Sequence, residues 1–162
     1  ASIEGTGAIN FLKMDDLLIT QEGETVAPDS VISLAFEDRK PVFPSFEPAV
    51  TDPFLQSIQA SQLKWVIITD PNGEPQIMLD ADAFLRATLF DRQPTNPPRF
   101  CHRPIIVRAE QTTLGDVIPQ LKVYPTHPSD DVIDDDIILL WGQQKRIITG
   151  SDILGRLMRG IV

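Results

Sequence analysis

The residues best suited to chemistry in this chain are Thr149 and Asp152, a hydroxyl and a carboxylate three positions apart in Thr149-Gly150-Ser151-Asp152. An apolar run precedes them and an amphipathic pattern follows, which puts them at a strand-to-helix junction. Such a pair can form a capping box, in which hydroxyl and carboxylate satisfy the orphan N–H groups of the helix start. The same helix start offers free N–H groups and a positive dipole end to a phosphate. Lys145, Arg146, Arg156 and Arg159 gather nearby and make the local sign favourable. Arg156 and Arg159 equally suit the last turns of a helix, where cations are stabilised.

Other constellations are weaker. Asp130, Asp131, Asp134, Asp135 and Asp136 crowd carboxylates that could collect a hard cation, but no turn Gly or distal Glu follows in EF-hand register. A solvated loop is the expectation there, with no metal site. A metal-dependent hydrolase built on this run would lack an accompanying base or nucleophile. Cys101, His102 and the distant His127 are the only thiol and imidazoles, too few for a four-ligand zinc site. Neighbours in a strand point to opposite sides, so Cys101 and His102 do not make a nucleophile and base. No GxSxG, HExxH, Walker A or GxGxxG pattern occurs, and no catalytic residues are assigned. Trp65 and Trp141 read as core or interface aromatics.

The elements that must position the junction recur. Trp65 to Leu89 and Ile137 to Met158 each read as an apolar run, a turn, a second apolar run and a helix. Pro71-Asn72-Gly73 forms the first turn, where Asn and Gly tolerate positive φ, and Gly142-Gln143-Gln144 forms the second. The helices carry apolar stripes at Phe84, Leu85, Thr88 and Leu89 and at Ile153, Leu154, Leu157, Met158 and Ile161. Upstream, Asp52-Pro53 starts a helix through Phe54, Leu55 and Ile58, and Thr113 caps another through Val117 and Ile118. Each half therefore runs strand, helix, strand, strand, helix.

Residues 1–40 form an N-terminal segment with a short helix from Ile9 to Leu18 and a turn at Gln21 to Glu24. Pro28-Asp29-Ser30 opens a second helix through Val31, Leu34 and Ala35, with a strand over Val31 to Phe36 as the alternative. Four prolines between Pro41 and Pro53 restrict any strand there to a short or edge position. The first repeat spans 41–90, a Pro-rich linker 91–100 and the second repeat 101–162.

A length of 162 residues suits one domain or two half-domains sharing a core. The net charge of −9 argues against nucleic acid and anionic membranes, whose recognition needs clustered Lys and Arg. No apolar run approaches the roughly 18 residues of a membrane span. A single Cys fits a reducing, cytoplasmic setting. A start at Ala1 rather than Met fits a piece processed or cut from a larger protein.

The tandem β-α-β-β-α order, closing in KRIITGSDILGRLM, resembles the CBS-domain pair over residues 40 to 160. The resemblance implies an α+β fold of two repeats packed with pseudo-twofold symmetry, the N-terminal segment being partly helical. It implies a non-enzymatic regulatory module that binds AMP, ADP, ATP or S-adenosylmethionine, with no resident cofactor. Its partners would be a second copy in a homodimer and a host enzyme or transporter. Thr149 and Asp152 match the family's ribose-contacting positions, and a carboxylate can accept bonds from both ribose hydroxyls. Ser151, Arg103, Ile105 and Arg146 complete the implied site, Arg103 and Ile105 lying in the segment that lines the base. The first repeat departs: Leu79 stands for Thr149 while Asp82 matches Asp152, a degenerate site that implies no nucleotide there. An insertion of Tyr124-Pro125-Thr126-His127-Pro128-Ser129 and the acidic run is a second departure. The alternative function is a ligand-free dimerisation or scaffold module.

Overall fold

The computed structural model describes residues 16–124 and 132–159, the side chain of Arg159 excepted. The chain is a mixed α+β protein with four α-helices among the described residues. Both hairpins expected from the sequence form. In the first, β5 (Trp65–Thr69) pairs antiparallel with β6 (Pro75–Asp80), Val66 facing Leu79 and Ile68 facing Ile77. Its turn is organised by Asp70, whose carboxylate accepts from the N–H groups of Asn72 and Glu74, while Gly73 takes φ +83°. In the second, β8 (Ile133–Trp141) pairs with β9 (Lys145–Ile148), Leu139 facing Ile147. A helix follows each hairpin, α2 (Ala81–Phe90) and α4 (Gly150–Arg159). The preceding helices are α1 (Pro53–Gln59), capped by Asp52, and the single turn α3 (Leu114–Val117), closed by a Thr113–Asp116 capping box.

The N-terminal segment departs from expectation. Pro28–Ser30 is only a 3₁₀ turn, and β-branched Val31 and Ile32 continue as strand β2 (Val31–Ser33), parallel to β5. The helix over Val31 to Ala35 is therefore replaced by the strand alternative, because Ile67, Ile68 and Thr69 of β5 supply a ladder that local propensity could not foresee. The helix expected from Ile9 falls mostly outside the described residues. Asp16 to Leu18 are not helical, and Leu18 forms a bridge to Thr113. Glu24–Thr25 forms strand β1, antiparallel to β9. The prolines leave only two-residue strands between Ala35 and Val42, β3 (Phe36–Glu37) and β4 (Lys40–Pro41).

Two compact units divide the chain. One holds Ala27–Arg103 and the described residues from Tyr124 to Asp134. Its strand order is β7 (Cys101–Val107), β6, β5, β2. Its core is aromatic: Phe43, Phe46, Phe54, Phe84 and Phe100 meet largely edge-on around Leu55, Ile58, Val66, Ile77 and Leu79. The other holds the described residues up to Val26, Pro104–Val123, and those from Asp135 onward. Its strand order is β1, β9, β8, β7, and its core is aliphatic: Ile19, Ile105, Leu114, Val117, Ile138, Leu140, Ile148 and Ile153. Strands β7 and β8 each run from one unit into the other. No described helix is long and apolar enough to cross a membrane.

Candidate functional site

The junction at the end of β9 is built by local rules. Ile148 packs into the aliphatic core, Ile147 is buried outside that cluster, and Thr149 follows the strand. The Thr149 carbonyl accepts the first helical bond of α4 from Ile153 N–H. Asp152 Oδ2 accepts from the Thr149 N–H at 2.9 Å and the Thr149 hydroxyl at 3.0 Å. The Asp152 N–H in turn donates to Thr149 Oγ1 at 3.3 Å, closing a reciprocal capping box. Capping consumes Oδ2, while Oδ1 has no hydrogen-bond partner among the described residues. Thr149 and Asp152 are half-buried, and Gly150 and Ser151 are exposed.

The other expected site residues are distributed unevenly. Ile105 is buried in the aliphatic core of the same unit. Arg146 also belongs to that unit, but its three nitrogens are engaged. Nε donates to the Glu22 carbonyl at 2.7 Å, Nη2 to the Gly23 carbonyl at 2.9 Å and Nη1 to Thr25 Oγ1 at 3.1 Å. Arg103 lies in the aromatic unit, where its Nε stands 3.4 Å from Asp134 Oδ1.

The first junction shows a register the sequence concealed. Leu79 is fully buried within β6, paired with Val66 and Cys101, and is not a junction residue. The cap of α2 is Asp80, whose Oδ1 accepts from the Ala83 N–H at 3.1 Å. Asp80 thus holds the position of Thr149 and Ala83 that of Asp152, one residue on from the expected Leu79 and Asp82. Exposed Asp82 instead lines a cleft of about 350 Å³ with Lys64, Asp80, Arg86 and Asp91. In the aliphatic unit, Thr25, Val26 and Gln143 to Arg146 line a cleft of about 340 Å³. Neither cleft is lined by Thr149 or Asp152.

Of the acidic run, Asp130 and Asp131 lie outside the described residues, as does most of the insertion with His127. Asp134 pairs with Arg103 and Asp135 with Lys122. Among the described residues, no three His, Cys, Asp or Glu side chains group as metal ligands. Burial pushes the Cys101 thiol up to about 12, Arg103 opposing, so the thiol stays protonated; Sγ–H donates to the Pro97 carbonyl. The His102 ring stands edge-on to Trp65 with centroids 5.0 Å apart, and Lys145 lies 4.9 Å over Trp141.

No protein-family model matches the chain, and neither do curated proteins or solved structures.

Sequence reasoning missed Glu22, which sits in the Gln21 to Glu24 turn yet is buried. Its Oε1 accepts from Arg156 Nε at 3.0 Å and Nη2 at 2.9 Å. Nothing in a local window signals a carboxylate whose partner lies 134 positions away.

Proposed function

We propose that this chain is a regulatory module of the CBS-pair type. In this reading it binds an adenosine-containing ligand at the Thr149–Asp152 junction and controls an attached or partner protein in the cytoplasm. One observation carries the reading: both halves share strand order and, apart from the β3–β4 pair between β2 and α1, the order of their described helices and strands. In the first half β2 lies beside β5 and β5 beside β6, followed by α2; in the second β7 lies beside β8 and β8 beside β9, followed by α4. On this reading the first repeat begins at β2, ahead of residue 41, and the repeats pack as a pseudo-twofold pair.

The chemistry at the junction follows from the capping geometry. Asp152 Oδ2 holds the helix start while Oδ1 remains to accept from a ribose hydroxyl. A charge-assisted bond of this kind contributes about 1.5–3 kcal/mol. The exposed N-terminal turn at Gly150 and Ser151 faces anionic groups favourably. The output is a shift between two packings, biased by the ligand's differential affinity for them.

The test is a thermal-shift screen with AMP, ADP, ATP and S-adenosylmethionine, followed by calorimetry. A ligand at about 100 times its Kd adds about 2.7 kcal/mol of stability. Asp152→Ala is expected to weaken that ligand about ten- to a hundredfold. Equal affinity in the variant rejects the site.

A second reading, a ligand-free dimerisation module, is favoured by one observation. Leu154 and Met158 on α4 are 57% and 53% exposed, leaving an uncovered apolar strip. Light scattering that reports a dimer, with no ligand shifting Tm, would support it; a monomer would refute it.

A further inference from the structure

Charge separates the two clefts. The one beside α2 mixes signs, Lys64 and Arg86 standing with Asp80, Asp82 and Asp91. The one in the aliphatic unit, about 340 Å³ beside the turn of the second hairpin, has Lys145 and Arg146 among its lining residues and no carboxylate. In a chain of net charge −9 that is a local reversal of sign. Glu110 reaches the same turn, but its Oε1 accepts from the Gln144 N–H and it does not line the cleft.

Arg146 is held in place without being neutralised. Its bonds, to the Glu22 and Gly23 carbonyls and the Thr25 hydroxyl, all end on uncharged acceptors. It forms no ion pair among the described residues, so this half-buried guanidinium keeps its full charge. A guanidinium carries one N–H on Nε and two on each Nη. With those bonds made, one N–H is left on Nη1 and one on Nη2, and two donors on different nitrogens are what a bidentate contact to an oxyanion requires. The bonds have already fixed the side chain, so an incoming anion need not order it. Lys145 also forms no ion pair among the described residues; its ammonium lies 4.9 Å from the Trp141 ring centroid.

The remaining lining narrows the class of molecule. Val26 is its one apolar residue, and no aromatic ring offers a base a surface to stack on. The Gln143 and Gln144 amides and the Thr25 hydroxyl both donate and accept, which suits hydroxyl groups. The volume is at the small end for a ligand cleft. We infer that this cleft is an oxyanion site, taking the phosphate monoester of a small hydroxyl-rich molecule with its phosphate on Arg146 and its hydroxyls on Thr25, Gln143 and Gln144. The site lies at the turn end of β9, whereas Thr149 follows the strand's other end, and it does not rest on the adenosine reading of that junction.

The experiment is an NMR titration of the full chain at constant ionic strength, following the backbone amides and the Arg146 Nε–H. The probes are inorganic phosphate, glycerol 3-phosphate, glycerol and chloride. Phosphate is expected to give saturable shifts at Thr25, Val26 and Gln143 to Arg146, with Kd about 1–10 mM. Glycerol 3-phosphate should bind at least about fivefold more tightly than phosphate, and glycerol and chloride should move none of these signals. Arg146→Gln should weaken binding at least about tenfold. Because Arg146 also holds Glu22 to Thr25, Lys145→Met, whose side chain bonds to none of them, is the second variant and should weaken binding about threefold. Absence of shifts up to about 50 mM phosphate, equal shifts with chloride, or a response centred on Thr149 to Asp152 overturns the site. So does unchanged affinity in a folded Arg146→Gln or in Lys145→Met. Glycerol 3-phosphate binding no more tightly than phosphate overturns the assignment of the ligand class.

Discussion

Asp52 shows how much a single side chain can organise. Oδ1 accepts from Phe54 N–H at 2.9 Å and Leu55 N–H at 3.1 Å, and Oδ2 from Glu47 N–H at 2.8 Å. The Glu47 bond, joined by those of Leu55 and Phe54 and opposed by burial, holds its carboxyl below the usual value. A lowered folded-state pKa contributes stability above the unfolded value of about 3.9, and that contribution is lost as pH falls through the folded value. Asp52→Asn should therefore lose less Tm than the wild type between about pH 6 and about pH 3. Parallel losses in the two proteins would contradict this. Cys101 gives a second test. With its thiol pushed up to about 12 and buried, it should resist thiol reagents until the chain is unfolded. Fast labelling of the native protein would contradict the burial.

Elements depend on two glycines in different ways. Gly23 has φ +68°, and a Cβ there would fall on the Ile147 carbonyl oxygen of β9. Gly73 has φ +83°, but open space surrounds it. Gly73→Ala should cost about 1 kcal/mol, the backbone term alone, whereas Gly23→Ala should cost about 3 kcal/mol or more because β1 must move away from β9. Chemical denaturation measures both, and equal costs would contradict the close packing of Gly23 against β9. The contrast also marks what the sequence could disclose. Both hairpins and the Asp52 and Thr113 caps were legible because turn residues, apolar runs and capping side chains are local signals. Strand β2 was legible only as the alternative to a helix, since pairing with β5 is what decides for the strand at Val31–Ser33. The junction at α2 was read one residue early because a buried Leu79 and a capping Asp80 give the same apolar-then-acidic string as a shifted register.

On the scale of the whole chain, two cores of different chemistry coexist, one aromatic around Phe54 and Phe84 and one aliphatic around Ile138 and Ile148. Sequence order hid this division, because the aliphatic unit draws on residues up to Val26 as well as on the second half. The N-terminal segment, expected as a single piece over 1–40, is shared between the units at Val26 and Ala27. The candidate site was half legible: Thr149 and Asp152 carry their pairing in their spacing, while the Glu22–Arg156 contact exists only in three dimensions. The account rests on that junction being where an adenosine ligand sits. An NMR titration of the full chain with AMP, following every backbone amide, tests it most directly. The account expects saturable shifts largest at Thr149 to Asp152. No shifts up to about 1 mM AMP, or shifts centred on Asp80 to Ala83 instead, would contradict it.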